Sequence, residues 1–156
     1  METTDDIIKD EGGIVLQPYF CTARKLTWLI GRNIEDRPLK KPEIAILREH
    51  GLEEGAKILF NIELESLYKE LVMYGVPLFN LPEEKKNIIL NLAYNMGVTR
   101  FNPKTWPKFF AAIKEKNWKN ASIQMQFTDN SMKKESKWYQ QTKNRAVRLT
   151  KAMENI

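Results

Sequence analysis

A carboxylate, a thiol and a hydroxyl follow one another at short intervals near the start of the chain, at Glu11, Cys21 and Thr27. Glycoside hydrolysis needs an acid that protonates the leaving oxygen. It also needs a second group, on the opposite face of the sugar, that positions water or attacks the anomeric carbon. Glu11 is the candidate acid because it precedes Gly12 and Gly13 at the expected end of a short helix, where a substrate can approach. Taken alone, these residue types are weak evidence for a glycan-cleaving site, and their spacing has to be considered with them.

Each of the three residues also has a purely structural interpretation. A glutamate at a helix end, such as Glu11, is far more often a solvated surface residue than a catalytic acid. A free cysteine is more often a small buried apolar residue than a reactive one, so Cys21 alone is weak support. Thr27 fits equally well as an ordinary strand residue, and Asp10, one position before Glu11, is an alternative acid. Three tryptophans are predicted to belong to the core rather than to a sugar-binding surface: Trp106, Trp118 and Trp138.

The N-terminal part of the chain combines one short helix with extended structure. Residues 3–11 predict a helix, and Gly12 is typical of its end. Residues 14–16 and 26–30 are rich in branched and aromatic side chains that favour strands, and a turn at 22–25 separates them.

From residue 42 onward the pattern becomes helical. The longest candidate helix covers residues 53–74, where apolar side chains recur every three or four positions and form one stripe. Pro82 begins another helix, and its apolar run at 88–94 predicts a buried position at the centre of the helical part. The polar segment 128–135 is predicted to be a loop. Four shorter helices are predicted at residues 42–50, 104–114, 118–127 and 141–153.

These elements predict an α+β fold that is mostly helical, with a small sheet confined to the N-terminal part. At 156 residues the chain fits a single domain that can bury a substantial core. The long helix would extend for about 30 Å, which is enough to join a small N-terminal lobe to a larger helical one.

The composition limits the classes of partner and cofactor. A net charge of +5 at pH 7 favours polyanionic partners, such as nucleic acid, an anionic membrane or an anionic cell-wall polymer. No apolar run approaches the ~20 residues that span a bilayer, and the acidic, polar N-terminus does not resemble a signal peptide. A single cysteine excludes an internal disulfide, and with only one histidine, His50, no transition-metal site is expected.

The spacing of the candidate residues resembles that of the phage-type lysozymes of glycoside hydrolase family 24, the T-even phage endolysin group. That family has Glu, eight residues, Asp or Cys, five residues and Thr. Here nine residues separate Glu11 from Cys21, and five separate Cys21 from Thr27. The Pro-Tyr-Phe-Cys segment that ends at Cys21 looks like the family's Ala-Tyr-x-Asp/Cys. Residues 26–32 resemble its Thr-Ile-Gly-x-Gly-His strand, with Gly31 in the place of the second glycine.

Two further blocks, in the family's order, support the same resemblance. Residues 91–97 (Asn-Leu-Ala-Tyr-Asn-Met-Gly) look like the family's helix that ends in aromatic-Gln-Met-Gly. Residues 136–146 (Ser-Lys-Trp-Tyr-Gln-Gln-Thr-Lys-Asn-Arg-Ala) look like its Ser-Arg-Trp-Tyr-Asn-Gln-Thr-Pro-Asn-Arg-Ala. With the first block they cover most of residues 5–153.

The resemblance implies a role for each matching residue. Glu11 would be the general acid. Thr27 would hold the attacking water together with Cys21, which stands in the place of the family's Asp. Arg145 would lie near the acid and favour its ionised form. Three residues align with sugar-contacting positions of the family: Tyr94, Phe109 and Gln124.

The thiol raises a question of charge. A thiolate at Cys21 would stabilise positive charge that develops on the sugar, but a free cysteine has a pKa near ~8.5 and is mostly protonated at neutral pH. We therefore expect Arg24, Lys25 or Arg32 to lower the pKa of Cys21 if the thiolate takes part.

The resemblance implies an endolysin-type muramidase that hydrolyses, with inversion, the β-1,4 bond between N-acetylmuramic acid and N-acetylglucosamine in bacterial peptidoglycan. It also implies a lysozyme-like fold, with a lobe at 12–52, a connecting helix at 53–74, and a helical lobe at 75–156 packed with helix 3–11. No cofactor is implied. The protein is expected to be a monomer in the host cytoplasm until a holin or a delivery apparatus gives it access to the periplasm and cell wall. Neither a nucleic-acid partner nor stable membrane insertion is expected.

Three alternatives stay open. The first is a catalytically degenerate relative that binds glycan, or serves as an assembly part, without cutting it. The second is a lytic transglycosylase, whose product would have an anhydro sugar instead of a reducing end. The third is a basic helical nucleic-acid binder, although the sequence has no recognisable motif for that class.

Overall fold

A computed structural model describes residues 2–127 and 134–155. The described chain divides into two compact units. The N-terminal unit is Thr4–Ser66, and the C-terminal unit is the chain from Leu67 onward together with Glu2 and Thr3. Most of the loop predicted at 128–135 lies outside the described residues.

The N-terminal unit contains one short helix, a small sheet and the helices that follow it. Helix α1 (Thr4–Asp10) leads into three antiparallel strands that lie side by side in chain order. These are β1 (Val15–Phe20), β2 (Leu26–Leu29) and β3 (Arg32–Asn33). Helix α2 (Lys41–His50) comes next, and the long helix α3 (Leu52–Met73) begins here and continues into the other unit. The predicted packing of α1 with the helical lobe stays a prediction.

The pairing of β1 with β2 is irregular. Val15 lies opposite Leu29 and Tyr19 lies opposite Thr27, so four steps along β1 correspond to two steps along β2. The intervening residues of β1 include Pro18, which has no backbone N–H to donate to a ladder and is tolerated at such bulges. The bulge brings Tyr19 into register with Thr27.

The C-terminal unit is built mainly from helices. After a 3₁₀ turn at Leu78–Asn80, the helices are α4 (Glu83–Met96), α5 (Pro107–Lys114), α6 (Trp118–Gln126), α7 (Lys137–Thr142) and α8 (Asn144–Glu154). Helix α6 packs against both α5 and α8. Ile88, Ile89 and Leu92 of α4 are fully buried, so the predicted buried position of this helix is confirmed.

Two predicted helix boundaries are wrong. Helix α5 begins at Pro107 rather than at residue 104, because a proline disfavours helical geometry in the residue before it. Trp106 accordingly has φ −126° and ψ 56°. The single helix predicted at 141–153 is two helices, separated at Lys143, whose φ of 40° is not helical. The boundaries predicted for the long helix and for the helices at 42–50 and 118–127 are confirmed to within two residues.

The predicted α+β class, mostly helical with a small N-terminal sheet, is confirmed. In the part of the chain that the structure describes, no helix combines the length and the apolar character needed to span a bilayer.

Candidate active site

Glu11 follows α1 directly, at a helix end closed by two glycines. The N–H of Gly13 bonds to the Ile8 carbonyl at 2.9 Å, and the N–H of Gly12 bonds to the Lys9 carbonyl at 3.1 Å. This pair of bonds is the Schellman arrangement, which needs a left-handed residue after the helix, and Gly12 supplies it with a φ of 94°. Ile7, on the inner side of this helix, is fully buried. The predicted helix end is confirmed, and Glu11 has a defined backbone position.

A glycine from another part of the N-terminal unit, Gly31, approaches the side chain of Glu11 closely. Gly31 lies between β2 and β3 with a φ of 59°. A Cβ added to Gly31 would lie 2.6 Å from Glu11 Oε2 and 3.0 Å from Glu11 Cβ, which is too close for real atoms. The absence of a side chain at Gly31 therefore makes room for the carboxyl group of Glu11.

Cys21 lies at the end of β1, in the turn that leads to β2. Its N–H bonds to the Lys25 carbonyl at 3.0 Å, and its carbonyl accepts the N–H of Arg24 at 2.8 Å. The pKa of the Cys21 thiol is lowered, chiefly because the backbone N–H of Lys25 donates a hydrogen bond to the sulfur. Burial opposes this effect, and the Thr27 hydroxyl adds to it.

The predicted cause of a lowered Cys21 pKa is wrong. Backbone and hydroxyl hydrogen bonds lower it, rather than the cationic side chains of Arg24, Lys25 or Arg32. Arg32 is instead bound in a forked ion pair with Glu43, in which Nη2 lies 3.0 Å from Oε1 and Nη1 contacts Oε2. The side chain of Arg32 also donates to the carbonyls of two residues in the following loop, Arg37 and Pro38.

Thr27 is buried, with 4% of its surface exposed, and its hydroxyl lies 3.0 Å from the Lys25 carbonyl. A hydroxyl has one hydrogen and two acceptor lone pairs. When Cys21 is protonated, the hydroxyl of Thr27 can donate to Lys25 and accept from the thiol. When Cys21 is ionised, the same hydrogen can turn to the sulfur. The two side chains therefore form a pair whose hydrogen bonding follows the charge of Cys21.

Tyr19 lies close enough to both Glu11 and Cys21 to interact with their charges. The sequence did not predict it as a site residue. Burial raises the pKa of Tyr19, and the negative charges of Glu11 and Cys21 raise it further. These charges act on the phenol only if both groups lie near it. The signal available in the sequence was the Pro-Tyr-Phe-Cys segment, but the bulge that turns Tyr19 towards Thr27 was not predictable from it.

The C-terminal unit contains a cavity of 790 Å³ that includes two of the three predicted sugar-contacting residues. Phe109 and Gln124 line it, and both are buried. Tyr94 is half-buried near the end of α4 and is not among the described residues that line the cavity, whereas the next two residues, Asn95 and Met96, are.

Aromatic and cationic side chains surround the same cavity. Trp106 and Trp138 line it, together with the exposed cations Arg100, Lys108 and Lys137. Trp106 also packs edge-on against Phe101 and Phe109, and Trp138 is 4% exposed, so both take part in the core as well as lining the cavity. That they belong to the core rather than to a sugar-binding surface stays a prediction. The indole N–H of Trp138 is buried and has no hydrogen-bond acceptor among the described residues.

Arg145 belongs to the C-terminal unit, where its guanidinium donates to Asn91 Oδ1 at 2.9 Å through Nε. Asn91 in turn donates to the buried carboxylate of Glu2 at 3.0 Å. The role predicted for Arg145 beside Glu11 stays a prediction. Among the described residues, no group of three or more His, Cys, Asp or Glu is arranged to hold a metal ion.

Compared with known proteins, the sequence matches no protein-family model and no curated protein.

Proposed function

We propose that the chain is an endolysin-type muramidase with a lysozyme-like, two-lobed fold. Its substrate would be the β-1,4 bond between N-acetylmuramic acid and N-acetylglucosamine in bacterial peptidoglycan. The main support is the grouping, within the N-terminal unit, of an acid seated against Gly31 and a thiol whose pKa is lowered by hydrogen bonds from the Lys25 backbone and the Thr27 hydroxyl. The three sequence blocks that resemble phage-type lysozymes give independent support.

In the proposed reaction, the carboxylic acid of Glu11 protonates the glycosidic oxygen, and the bond from that oxygen to the anomeric carbon breaks. A water molecule held by the Thr27 hydroxyl and the Cys21 sulfur attacks the anomeric carbon from the opposite face. The proton released by the water passes to the Cys21 thiolate. The enzyme then holds a Glu11 carboxylate and a Cys21 thiol, and proton exchange with solvent restores the starting state.

The lowered pKa of Cys21 supports this division of roles. A lowered pKa favours the thiolate of Cys21, which can accept a proton as the aspartate at this place in the resembling family would. The inverting geometry requires the water to fit between the sugar and the second group, and a thiolate fixed by the Lys25 N–H and the Thr27 hydroxyl provides a directed acceptor.

Analysis of the products tests the proposal. Purified Gram-negative peptidoglycan is incubated with the protein, and the released fragments are separated and weighed by mass spectrometry. A muramidase yields fragments that end in reducing N-acetylmuramic acid. Fragments that end in anhydro-muramic acid would instead establish a lytic transglycosylase.

The second candidate function is glycan binding without cleavage. It is favoured by the extra residue between Glu11 and Cys21 and by the absence of a carboxylate at Cys21. It predicts that the protein sediments with peptidoglycan and releases no fragments, and that the variant Glu11→Gln sediments equally well.

A further inference from the structure

Residues 98–127, in the C-terminal unit, form a strongly basic segment of the chain. Residues 98–127 contain six lysines and arginines and a single acid, Glu115, so their net charge of +5 equals that of the whole chain. All six cations are exposed. They are Arg100, Lys104, Lys108, Lys114, Lys116 and Lys119.

Large apolar side chains are exposed in a turn of the same unit. The turn joins α3 to α4, and we refer to residues 73–79 as the apolar turn. Met73 is 87% exposed, Phe79 is 72% exposed and Tyr74 is 41% exposed. Single exposed apolar residues are common on proteins, but several within seven residues form a patch that indicates an interaction surface.

The apolar turn is held in this orientation by the fold. Val76 and Leu78 are buried, at 3% and 0% exposure, and their side chains anchor the turn in the core. Turn hydrogen bonds fix the backbone around them, including Val76 N–H to the Leu71 carbonyl at 3.1 Å and Leu78 N–H to the Val76 carbonyl at 2.9 Å. Phe79 directly follows the fully buried Leu78, and its own ring lies in solvent.

The apolar turn and the basic segment meet at a small cavity of 190 Å³. Tyr74 and Pro77 line it from the turn, and Lys114 lines it from α5. Pro103 and Pro107 also line it, and each is followed directly by an exposed lysine, Lys104 and Lys108. Lys114 therefore borders the apolar turn at this cavity, and Lys104 and Lys108 are exposed at the positions next to two of its lining prolines.

We propose that this surface binds the face of an anionic phospholipid bilayer. Lysines adjacent to a membrane are attracted by negatively charged headgroups, while the side chains of Met73 and Phe79 enter the boundary between headgroups and acyl chains. An anionic polysaccharide would satisfy the lysines, but it offers no apolar phase for an exposed phenylalanine and methionine. An anionic bilayer would interact with both the lysines and the exposed apolar side chains. The protein would lie on the bilayer without spanning it.

Sedimentation with lipid vesicles tests this proposal on the full chain. Vesicles of phosphatidylglycerol and phosphatidylethanolamine, and neutral phosphatidylcholine vesicles, are mixed with the wild type at low and at high salt. We expect binding to the anionic vesicles, little binding to the neutral ones, and weaker binding as salt screens the lysines.

Matched variants separate the two contributions. The double variant Met73→Ser/Phe79→Ser should lower the vesicle partition coefficient by about tenfold or more, because the buried apolar area is lost. Phe20→Ser is its control, since Phe20 is 71% exposed but lies in β1 of the other unit. Lys104→Glu/Lys114→Glu should likewise lower the coefficient about tenfold or more. Its control is Lys41→Glu/Lys57→Glu, which makes the same charge change in the N-terminal unit.

Circular dichroism confirms that each variant is folded before its binding is measured. The proposal is overturned if the wild type binds anionic vesicles no better than neutral ones. It is also overturned if each variant binds as well as its control, or if the protein sediments with isolated peptidoglycan or lipoteichoic acid but not with vesicles. These outcomes do not depend on muramidase activity, so this surface and the proposed catalysis can fail separately.

Discussion

The carboxyl group of Glu11 occupies the space that a side chain on Gly31 would fill. A Cβ on Gly31 would lie 2.6 Å from Glu11 Oε2, and the φ of 59° at Gly31 is one that residues with a Cβ rarely adopt. Two separate requirements, one of space and one of backbone conformation, therefore fall on the same glycine.

The variant Gly31→Ala separates these requirements when it is compared with Gly51→Ala. Gly51 also has a positive φ, of 82°, but an added Cβ there meets no atom within 4 Å. Both variants should lose unfolding free energy from backbone strain, about 1 kcal/mol at Gly31 and more at Gly51, whose ψ of 169° with a positive φ is a combination that essentially only glycine adopts. Only Gly31→Ala should also displace Glu11 and lower peptidoglycan hydrolysis, by about 100-fold or more. Urea unfolding and fragment release measure the two effects; equal activity in the two variants would contradict a role for the Glu11–Gly31 contact.

Removing the hydroxyl of Thr27 should raise the pKa of Cys21. The variant Thr27→Val keeps the shape of the side chain but removes one of the hydrogen bonds that lower this pKa. Because the thiolate is the reactive form, alkylation of Cys21 by iodoacetamide at pH 7 should be slower than in the wild type, and its pH profile should move to higher pH. Thr22→Val, at an exposed position in the adjacent turn, is the control. An unchanged profile in Thr27→Val would show that the hydroxyl does not act on the sulfur.

The chemistry proposed for Cys21 makes a further prediction about substitutions at that position. Cys21→Asp provides a carboxylate that can accept the proton of the attacking water, so it should retain hydrolysis to within about tenfold of the wild type. Cys21→Ala removes the acceptor and should lose about 100-fold or more. Initial rates of fragment release measure both. If Cys21→Ala is as active as the wild type, Cys21 is a structural residue.

Glu2 should be important for the stability of the C-terminal unit. Its carboxylate is buried, accepts a hydrogen bond from Asn91 at 3.0 Å, and pairs with Arg148 at 3.2 Å. Glu2→Ala leaves a buried amide donor without this acceptor, and we expect a loss of about 2–3 kcal/mol of unfolding free energy. Glu70→Ala, at an exposed position on α3, should change it by less than ~0.5 kcal/mol. Urea unfolding followed by circular dichroism compares them, and a similar small effect in both would refute the importance of the Glu2 network.

Lys85 should make the stability dependent on pH in the alkaline range. It is buried, its Nζ donates to the carbonyls of Ala152 and Asn155 at the end of α8, and it lies 5.6 Å from the centre of the Trp118 ring. Burial lowers the pKa of Lys85. The folded state therefore releases this proton at lower pH than the unfolded state, whose pKa is about 10.4.

The sign of the pH effect follows from this order of pKa values. Below the folded pKa, the cost of burying the charge is fully present. As pH rises from the folded pKa towards the unfolded one, the unfolded state binds more protons, and folding becomes more favourable. The unfolding free energy of the wild type should therefore rise relative to that of Lys85→Met as the pH approaches the unfolded pKa of about 10.4 from below. Urea unfolding at several pH values measures the difference, and a difference that falls over this range would contradict the assignment.

Local signals in the sequence predicted the elements that local chemistry determines. Gly12 ended α1 where expected, because a left-handed residue is needed after a helix and glycine supplies it. The apolar stripe predicted α3, and the apolar run at 88–94 predicted the buried α4. The candidate site was predictable only as a set of residue types at a given spacing.

The parts that depend on distant contacts were not predictable in the same way. The hydrogen bond from Asn91 to Glu2 joins residues 89 positions apart, and no local pattern indicates it. The bulge in β1 depends on how that strand pairs with β2, and the break at Lys143 has no glycine to mark it. The pKa of Cys21 is lowered chiefly by a hydrogen bond from a backbone N–H group. Every residue except proline has such a group, and only the folded turn determines where it points, so the sequence could not indicate it.

Clearing of Gram-negative cell walls by the wild type and by Glu11→Gln tests the central claim most directly. The glutamine preserves the size of the side chain but cannot protonate the leaving oxygen. Asp10→Asn is the matched control, since it makes the same charge change one position earlier. We predict that the wild type and Asp10→Asn reduce the turbidity of the suspension, and that folded Glu11→Gln leaves it unchanged. Equal clearing by the wild type and Glu11→Gln, or no clearing by any of the three proteins, would contradict the proposal that Glu11 is the acid of a muramidase.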